Sequence, residues 1–564
     1  MPGKCRIIAS AAMTMLAAWL LGLAPALAQI PGTDAPGRDR ERFQQPIMPR
    51  AKPGGPPITL PSTVAPEGAD RITLTLGRVF VVGGTVYRPA EFEPLYADLV
   101  GQVITLAAVY DIAARITAKY GADGYVLSRA IVPPQELAPN GATIRIQIIE
   151  GYVDRVEWPA ELAKYRNFFS YYTDQIVADR PTNIRTLERY LLLAGDLPGL
   201  RFKNSLKPSA TQQGAATLVV EVMEKPVDAT ARVDNRGSQS RGPIQYYGSA
   251  TLNNMLRIHD AFTVTYAGVP QTAELQYLYG QYRQTLTAEG LTAFVNGSVS
   301  RGKPGPPVDP ILDYKTKSSI IEGGFLYPFV RLRERNLTAT ALFFSSNDSS
   351  DILGQLNTDV RLRGVRAKID ADAADPWGGI NQLNVTVSQG FSGMGALAEG
   401  FLRPEARLDF TKFEATFTRL QPLPANLSFL AAVYGQYAVN PLYSPEQCGY
   451  GGRAFGRAFD PSQIISDSCV ELLGEMRWDV PQSIPNLSQA QFYGFADYGW
   501  LHNLAPDFGT SANVDAASVG GGLRLGWQSP FSTFGTLSAD LSAAKAVQGP
   551  RDDWRFFFIV TGRY

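Results

Sequence analysis

The chain has 564 residues, with 52 basic side chains balanced by 52 acidic ones, two histidines and three cysteines. That balance removes electrostatic attraction as a general basis for binding nucleic acid or anionic lipid, although a local patch is still allowed. No His or Cys cluster has metal-ligand spacing, no phosphate-cradling Gly-x-x-x-x-Gly-Lys run occurs and nothing marks a nucleophile, so no metal, cofactor or catalytic activity is expected.

In chain order, Lys4 and Arg6, the apolar run from Ile7 to Leu23, and Ala26-Leu27-Ala28 predict a secretory signal over 1–28, cut after Ala28. Cys5 leaves with it. No apolar run beyond it reaches the roughly eighteen residues a membrane helix needs, so any membrane crossing must use strands. Residues 29–71 hold nine prolines between Pro31 and Pro66 and read as a periplasmic linker, in which Asp39 to Gln45 could form one or two helical turns.

From Ile72 the texture becomes strand, helix, helix, strand, strand. Ile72, Leu74 and Leu76 alternate into a strand ending at Gly83-Gly84. Pro89 opens a helix carrying Phe92, Leu95 and Leu99, and Ile104 to Tyr120 repeats apolar residues at helical spacing until Gly124 breaks it. Val126 to Ile131 and the alternation Ile144, Ile146, Ile148 supply two more strands. This α+β module is placed at 72–150, and a second with the same order at 151–226. There Val153 to Trp158 is strand-like, Thr182 can cap a helix from Ile184 to Ala194, and Thr217 to Met223 closes the unit.

Past Val227 helical periodicity disappears. Sixteen alternating segments follow, centred on Val233, Tyr247, Val264, Tyr277, Phe294, Phe325, Ala339, Val365, Val385, Ala415, Ala431, Leu473, Phe495, Leu523, Leu537 and Phe558. Val470, Leu472, Met476 and Trp478 fall on one face of their segment, and Glu471, Glu475, Arg477 and Asp479 on the other. Those charges suit a wet lumen and not a sandwich core, so 227–564 reads as a transmembrane β-barrel of sixteen antiparallel strands. Its last segment places Trp554, Phe556, Phe558 and Val560 toward lipid. Phe558, Val560 and the terminal Tyr564 form the end signal, with Tyr564 at the interface girdle.

Tyr120, Gly124-Tyr125, Leu127-Ser128-Arg129-Ala130, Pro133-Pro134-Gln135 and Glu150-Gly151 resemble the first POTRA signature of two-partner-secretion transporters, the TpsB type related to haemolysin secretion/activation proteins. Leu197-Pro198-Gly199 fits the second. In the barrel, Gly456-Arg457-Ala458-Phe459 is similar to the Val-Arg-Gly-Phe/Tyr motif of that superfamily, and Phe495-Ala496-Asp497-Tyr498-Gly499 to its Phe-x-Asp-x-Gly strand motif. Gly456 stands where valine is usual and Ala458 where glycine is usual.

The chemistry of these residues stands beside the resemblance. Asp497 shares the polar face of its strand with Gln491 and Tyr493, and a lumenal carboxylate needs a cation. The Arg457 fork on a folded-in loop would match it bidentately, with Gly456, Phe459, Phe495 and Gly499 in support. Arg453 is the alternative occupant, and the plainer reading is a surface loop that merely turns. Cys448 and Cys469 bracket this motif in an oxidising compartment and are read as a disulfide at the loop's base, the alternative being two buried thiols that never meet.

The resemblance implies an outer-membrane translocator with two periplasmic modules, secreting a large unfolded exoprotein that carries an amino-terminal secretion domain. Outer-membrane lipid and, during biogenesis, the barrel-assembly machinery are its other expected partners, and nucleic acid is not one. A barrel-assembly insertase would normally need more modules, and a passive porin would need none.

Overall fold

In the computed structural model the described residues are 32–43, 49–52, 65–212, 214–306, 308, 310–403, 405–506, 511–528 and 535–564. The signal peptide expected over 1–28, with Cys5, lies outside them.

The first module is a four-stranded sheet backed by one long helix. Its strands are β1 (Thr73–Val82), β2 (Val103–Thr105), β3 (Arg129–Ile131) and β4 (Ala142–Ile149), in the order β2-β1-β4-β3, with β1 and β4 parallel. The short helix α1 (Asp39–Phe43) precedes them, and α2 (Leu106–Ala122) follows β2 directly. The Thr105 hydroxyl accepts the Ala108 N–H at 3.2 Å and caps α2, so Val109, Ile112, Ile116 and Tyr120 repeat at helical spacing against Leu76, Ile144 and Ile146. The stretch from Pro89, read as a helix, forms two 3-10 segments instead, Pro89–Leu95 and Ala97–Leu99. Pro94 has no N–H to donate and interrupts any longer ladder.

The second module carries β5 (Tyr152–Glu157), α3 (Arg166–Ala178), α4 (Ile184–Gly195), β6 (Leu200–Pro208) and β7 (Ala215–Glu224), with sheet order β5-β7-β6. Asn183, not Thr182, caps α4. Its side chain accepts the Arg185 N–H at 3.0 Å, whereas the Thr182 hydroxyl accepts the Val153 N–H at 2.9 Å and donates to the Asp179 carbonyl. Helix α3 and strand β6 escaped the sequence reading. The aromatic block Phe168 to Tyr172 masks helical periodicity in the first, and β6 is an edge strand rich in Arg201, Lys203 and Lys207.

Sixteen antiparallel strands then close a barrel, from Val227–Asp234 to Trp554–Arg563, and each contains one of the sixteen predicted centres. The four-residue strand Leu397–Gly400 pairs with residues 358–361 of the eighth strand (Gln355–Ala374), prolonging the sheet past the end of the ninth strand without being one of the sixteen. Closure uses the register Ile559↔Asp234 to Arg563↔Thr230. Side chains alternate as a barrel requires: Val470, Leu472, Met476 and Trp478 are exposed on the outside, while Glu471 and Glu475 are buried within.

The second module is seated on the barrel rim. Glu289, in the turn between the fourth (Gln276–Thr285) and fifth (Thr292–Gly302) strands, accepts from Arg189 at 2.5 Å, Tyr171 at 2.7 Å and Tyr190 at 2.9 Å. Burial alone would raise its pKa, but these donors outweigh burial and hold the carboxyl below its ordinary value. Arg331 grips Asp196 at 2.6 and 2.8 Å. His259, in the turn before the third strand (Asp260–Gly268), lies between the rings of Tyr165 and Phe168, at 4.8 and 4.2 Å, and its burial there pushes the imidazole down to about 4.

One expectation is overturned. Residues 32–43, read as part of a periplasmic linker, lie inside the barrel, and α1 with its flanks is bonded to the lumenal wall. The segment has too little apolar surface to fold alone. Its charges are shared between the segment and the lumen: Arg38 pairs with Glu41 and Arg42 with Asp39, while Arg40 reaches Glu322, and Asp34 and Asp39 reach Arg241.

Candidate functional site

The site is the polar interior of the barrel and the two segments folded into it. The connection between the eleventh (Leu427–Ala438) and twelfth (Ser468–Asp479) strands turns inward. Within it Cys448–Tyr450 pairs with Ile464–Ser466 as a small antiparallel ladder, and Gly451 and Gly452, at φ +118° and +123°, start the tip. Cys448 and Cys469 are bonded, their Cα atoms 6.5 Å apart, tying the ladder to the root of the twelfth strand.

At the tip Gly456 has φ +64°, and a Cβ there would lie 2.7 Å from the Tyr450 ring. A Cβ on Gly499 would lie 2.5 Å from the other side of the same ring, so Tyr450 is a spacer held between loop and wall that only two glycines permit. Arg457 follows, buried, with its guanidinium 3.6 Å from the centroid of Phe495. Phe459 is buried beside Tyr450, their rings 5.5 Å apart.

Arg457 does meet Asp497, but not by the bidentate fork expected. Its backbone N–H donates to Asp497 Oδ2 at 3.0 Å, and its Nε is 3.5 Å from the same atom. The fork turns to Glu475, at 2.5 Å, because stacking on Phe495 aims it along the wall. Glu475 also takes Arg477 at 2.7 Å and Arg524 at 2.8 Å. Asp497 Oδ2 also accepts the Ser518 hydroxyl at 2.9 Å. Two further arginines hold the loop by its carbonyls: Arg236 donates to that of Arg457 at 2.8 Å and Arg555 to that of Ala458 at 3.1 Å. Arg453 points elsewhere and pairs with Asp234.

Sequence reasoning placed Glu475 on the lumenal face without assigning it the arginine. It missed Asp467, fully buried, which receives Arg403 at 2.8 and 3.0 Å and the Leu442 and Leu504 N–H groups, clamping the loop's far end. Nothing in the Ser-Asp-Ser context of Asp467 signals that role. At the chain end Phe558 is half-buried, Val560 and Tyr564 are exposed, and the Tyr564 backbone exchanges bonds of 2.9 and 3.2 Å with Ala229, extending the closing seam.

The second occupant is α1. Asp39 accepts the Ser300 hydroxyl at 2.8 Å, Arg40 meets Glu322 at 2.7 Å, and Arg241 meets Asp34 at 3.1 Å and Asp39 at 3.4 Å. Arg38 donates to Ser462 at 3.2 Å, and Ser462 donates to Glu41 at 3.0 Å, so helix and loop are joined as well as lodged. These are side-chain bonds. No strand pairing with the wall holds either occupant among the described residues.

Two family descriptions match this sequence: "POTRA domain, ShlB-type" over residues 74–151, and "Haemolysin secretion/activation protein ShlB/FhaC/HecB" over 361–525. In its first module and in much of its barrel the chain is similar to the two-partner-secretion transporters of this haemolysin secretion/activation family. It is 23% identical over 435 residues to the outer membrane transporter CdiB of Dickeya dadantii, covering 73% of each chain. It is 21% identical over 538 residues to the heme/hemopexin transporter protein HuxB of Haemophilus influenzae, covering 92% of each. In structure it is similar to CdiB from Escherichia coli, with TM-score 0.68 and 18% identity over 90% of this chain and 94% of that one, a likeness of fold. The likeness is to outer-membrane transporters of two-partner secretion, which act with a secreted exoprotein; this chain is placed with them in the outer membrane, its POTRA modules in the periplasm. The family is one of transporters and not an enzyme class.

Proposed function

We propose that the protein carries a large partner exoprotein outward through its lumen in unfolded form, with the POTRA modules recognising the client. The observation that carries this reading is the nature of the blockage. Helix α1 and the tip of the Arg457 loop, beyond the Cys448–Cys469 bond at its base, occupy the lumen but are fixed there by ion pairs and hydrogen bonds that can be exchanged one at a time, without opening the sheet. Unfolded client chain needs only that space.

Recognition is assigned to 72–150 and 151–226 because both sheets end in open edges, β2 and β3 in the first module and β5 and β6 in the second. An extended client segment can add there as a strand, held by backbone hydrogen bonds that read few side chains. Export then draws on the client folding outside, with no nucleotide consumed. Within the 227–564 barrel, the contacts of Arg457 with Glu475 and Asp497 set the loop's working position.

The test is deletion of 72–226. The remaining barrel should insert, since every wall strand is retained, and should export nothing. Normal secretion by the truncated barrel would overturn the role given to the modules, and secretion of a client internally locked by an engineered disulfide would overturn unfolded passage.

A further inference from the structure

Between the second module and the barrel rim lies a cavity of about 380 Å³ that the plug and the loop do not fill. Five cationic side chains line it: Arg50 beyond α1, Arg201 and Lys225 from the module side, and Arg283 and Arg331 from the barrel. Only two carboxylates, Asp196 and Asp228, face them. Asp196 is occupied by Arg331 at 2.6 Å with Arg50 at 3.9 Å, and Asp228 by Lys225 at 2.7 Å. Arg201 and Arg283 have no hydrogen-bond or ion-pair partner among the described residues.

The cavity opens to the lumen and not to lipid. Arg283 lies on the same face of the fourth strand as the buried Tyr277, and Leu326 and Pro328 share a face of the sixth strand (Lys315–Arg331) with the buried Glu322. Asn253, Thr285 and Thr292 of the lining sit at the ends of their strands nearest the module. A chain passing from module to lumen therefore crosses this space, and what it meets there is unneutralised positive charge. Cavities lined by one sign of charge concentrate the opposite sign and speed its capture.

We propose that this mouth is a receiving site for acidic stretches of the exported polypeptide: Arg201 and Arg283 bind its Asp and Glu carboxylates as the chain leaves the second module. The inference deepens the transport reading above and rests on it. Guanidinium groups suit the task because each can take a carboxylate by two parallel N–H bonds and release it to the next.

The experiment uses the full chain in nanodiscs of zwitterionic lipid and a fluorescein-labelled hexaglutamate peptide as probe, read by anisotropy. The peptide should bind, and binding should weaken on raising salt. Arg201→Glu with Arg283→Glu should lose about tenfold or more in affinity, and the milder pair Arg201→Gln with Arg283→Gln should lose less but clearly. Arg301→Glu with Lys317→Glu makes the same charge change at exposed positions on the opposite ends of the fifth and sixth strands, away from the modules, and should leave affinity within about twofold. A benzophenone on the peptide should label segments 196–201 or 283–292.

Equal affinity in all variants, or equal binding of hexalysine, overturns the proposal. So does competition by inorganic phosphate as effective as the peptide, which would mark a free-anion site. Displacement of the peptide by phosphatidylglycerol vesicles would mark a lipid site and overturn it too. Peptide binding is measured without export. A failure here, with the wild-type chain still secreting its partner, sinks the receiving site alone, whereas a wild-type chain that secretes nothing sinks the transport reading.

Discussion

The Arg457 guanidinium lies 2.5 Å from Glu475, while Asp497 is met chiefly through the Arg457 backbone N–H at 3.0 Å. The two carboxylates therefore do different work. Glu475 neutralises the arginine, and Asp497 fixes the course of the loop, a task that needs an acceptor more than a charge.

Arg457→Ala should sharply reduce secretion while leaving barrel in the membrane, since Glu475 keeps Arg477 and Arg524 and the wall is untouched. Asp497→Asn, which still offers an acceptor to the backbone N–H, should be milder than Asp497→Ala. Glu475→Ala leaves buried arginine uncompensated, a change that costs about 3 to 5 kcal/mol, and should lower thermal stability as well as secretion. Arg453→Ala should do less, because Asp234 retains Arg232 at 3.2 Å. Secretion titre and heat-modifiability separate these effects. Normal secretion by both alanine variants at 457 and 497 would show that the loop contact is dispensable.

The Cys448–Cys469 bond closes a segment separated by 21 residues, and a loop of that size gains roughly 3 kcal/mol from a crosslink. Replacing both cysteines with serine should lower the unfolding temperature in detergent and leave export largely intact, because Arg236, Arg555 and Asp467 still hold the loop. Non-reducing peptide mapping should recover one linked peptide from the wild type. An unchanged melting curve would mean that the bond stabilises nothing.

How much of this was legible in the sequence follows from how local each signal is. The barrel was readable because lipid on one side and polar groups on the other impose a period of two on every strand, and Leu472 against Glu471 shows it without knowledge of neighbours. Helix α2 was equally plain. The plug was not, since Asp39–Phe43 satisfies its charges with residues such as Glu322 and Arg241, hundreds of positions away, and composition alone says only that the segment cannot fold by itself. The partner of Arg457 was half legible. Parity put Glu475 and Asp497 on the lumenal face, but the choice between them was made by the Phe495 ring, whose stacking direction no spacing rule contains.

Removing residues 32–43 should open the lumen, since Arg40, Asp39 and Asp34 contribute the plug's wall contacts. In planar bilayers the deletion should raise mean conductance severalfold. Asp34→Ala with Asp39→Ala should give intermittent openings, because Arg241 is then repelled by Arg42 and loses both carboxylates. Conductance identical to wild type in both variants would mean that the loop alone closes the channel.

Tyr564 extends the closing seam through its backbone and presents its ring at the rim, half exposed. Tyr564→Asp should reduce the amount of assembled barrel, with secretion falling in proportion, since it removes the interfacial anchor from the strand that must find the first. A full yield of heat-modifiable barrel would assign the end signal to Phe558 and Val560 instead.

The seating of the second module on the rim should loosen as pH falls, and the sign follows from the groups at the contact. His259 is held neutral between Tyr165 and Phe168, its pKa pushed down to about 4 from an ordinary value near 6.5. Between those values the undocked form takes up a proton that the docked form refuses, so docking weakens as pH drops from about 6.5 toward 4. Glu289 acts in a lower window. Its depressed pKa makes its contribution fully present above the ordinary carboxylate value, and it is lost only as pH falls through the depressed one. At pH 5 the loosening is therefore due to the histidine. Fluorescent labels on cysteines introduced at Ser205 and Ser483, both exposed, would follow the distance between module and barrel. The wild type should show a broadening distance distribution on going from pH 7 to 5. His259→Asn, which suits the positive φ of 62° at that position, should be looser at neutral pH but flat across the range. Glu289→Gln should be looser throughout and keep the slope. If wild type and His259→Asn respond alike to pH, the histidine is not the group that titrates at this contact.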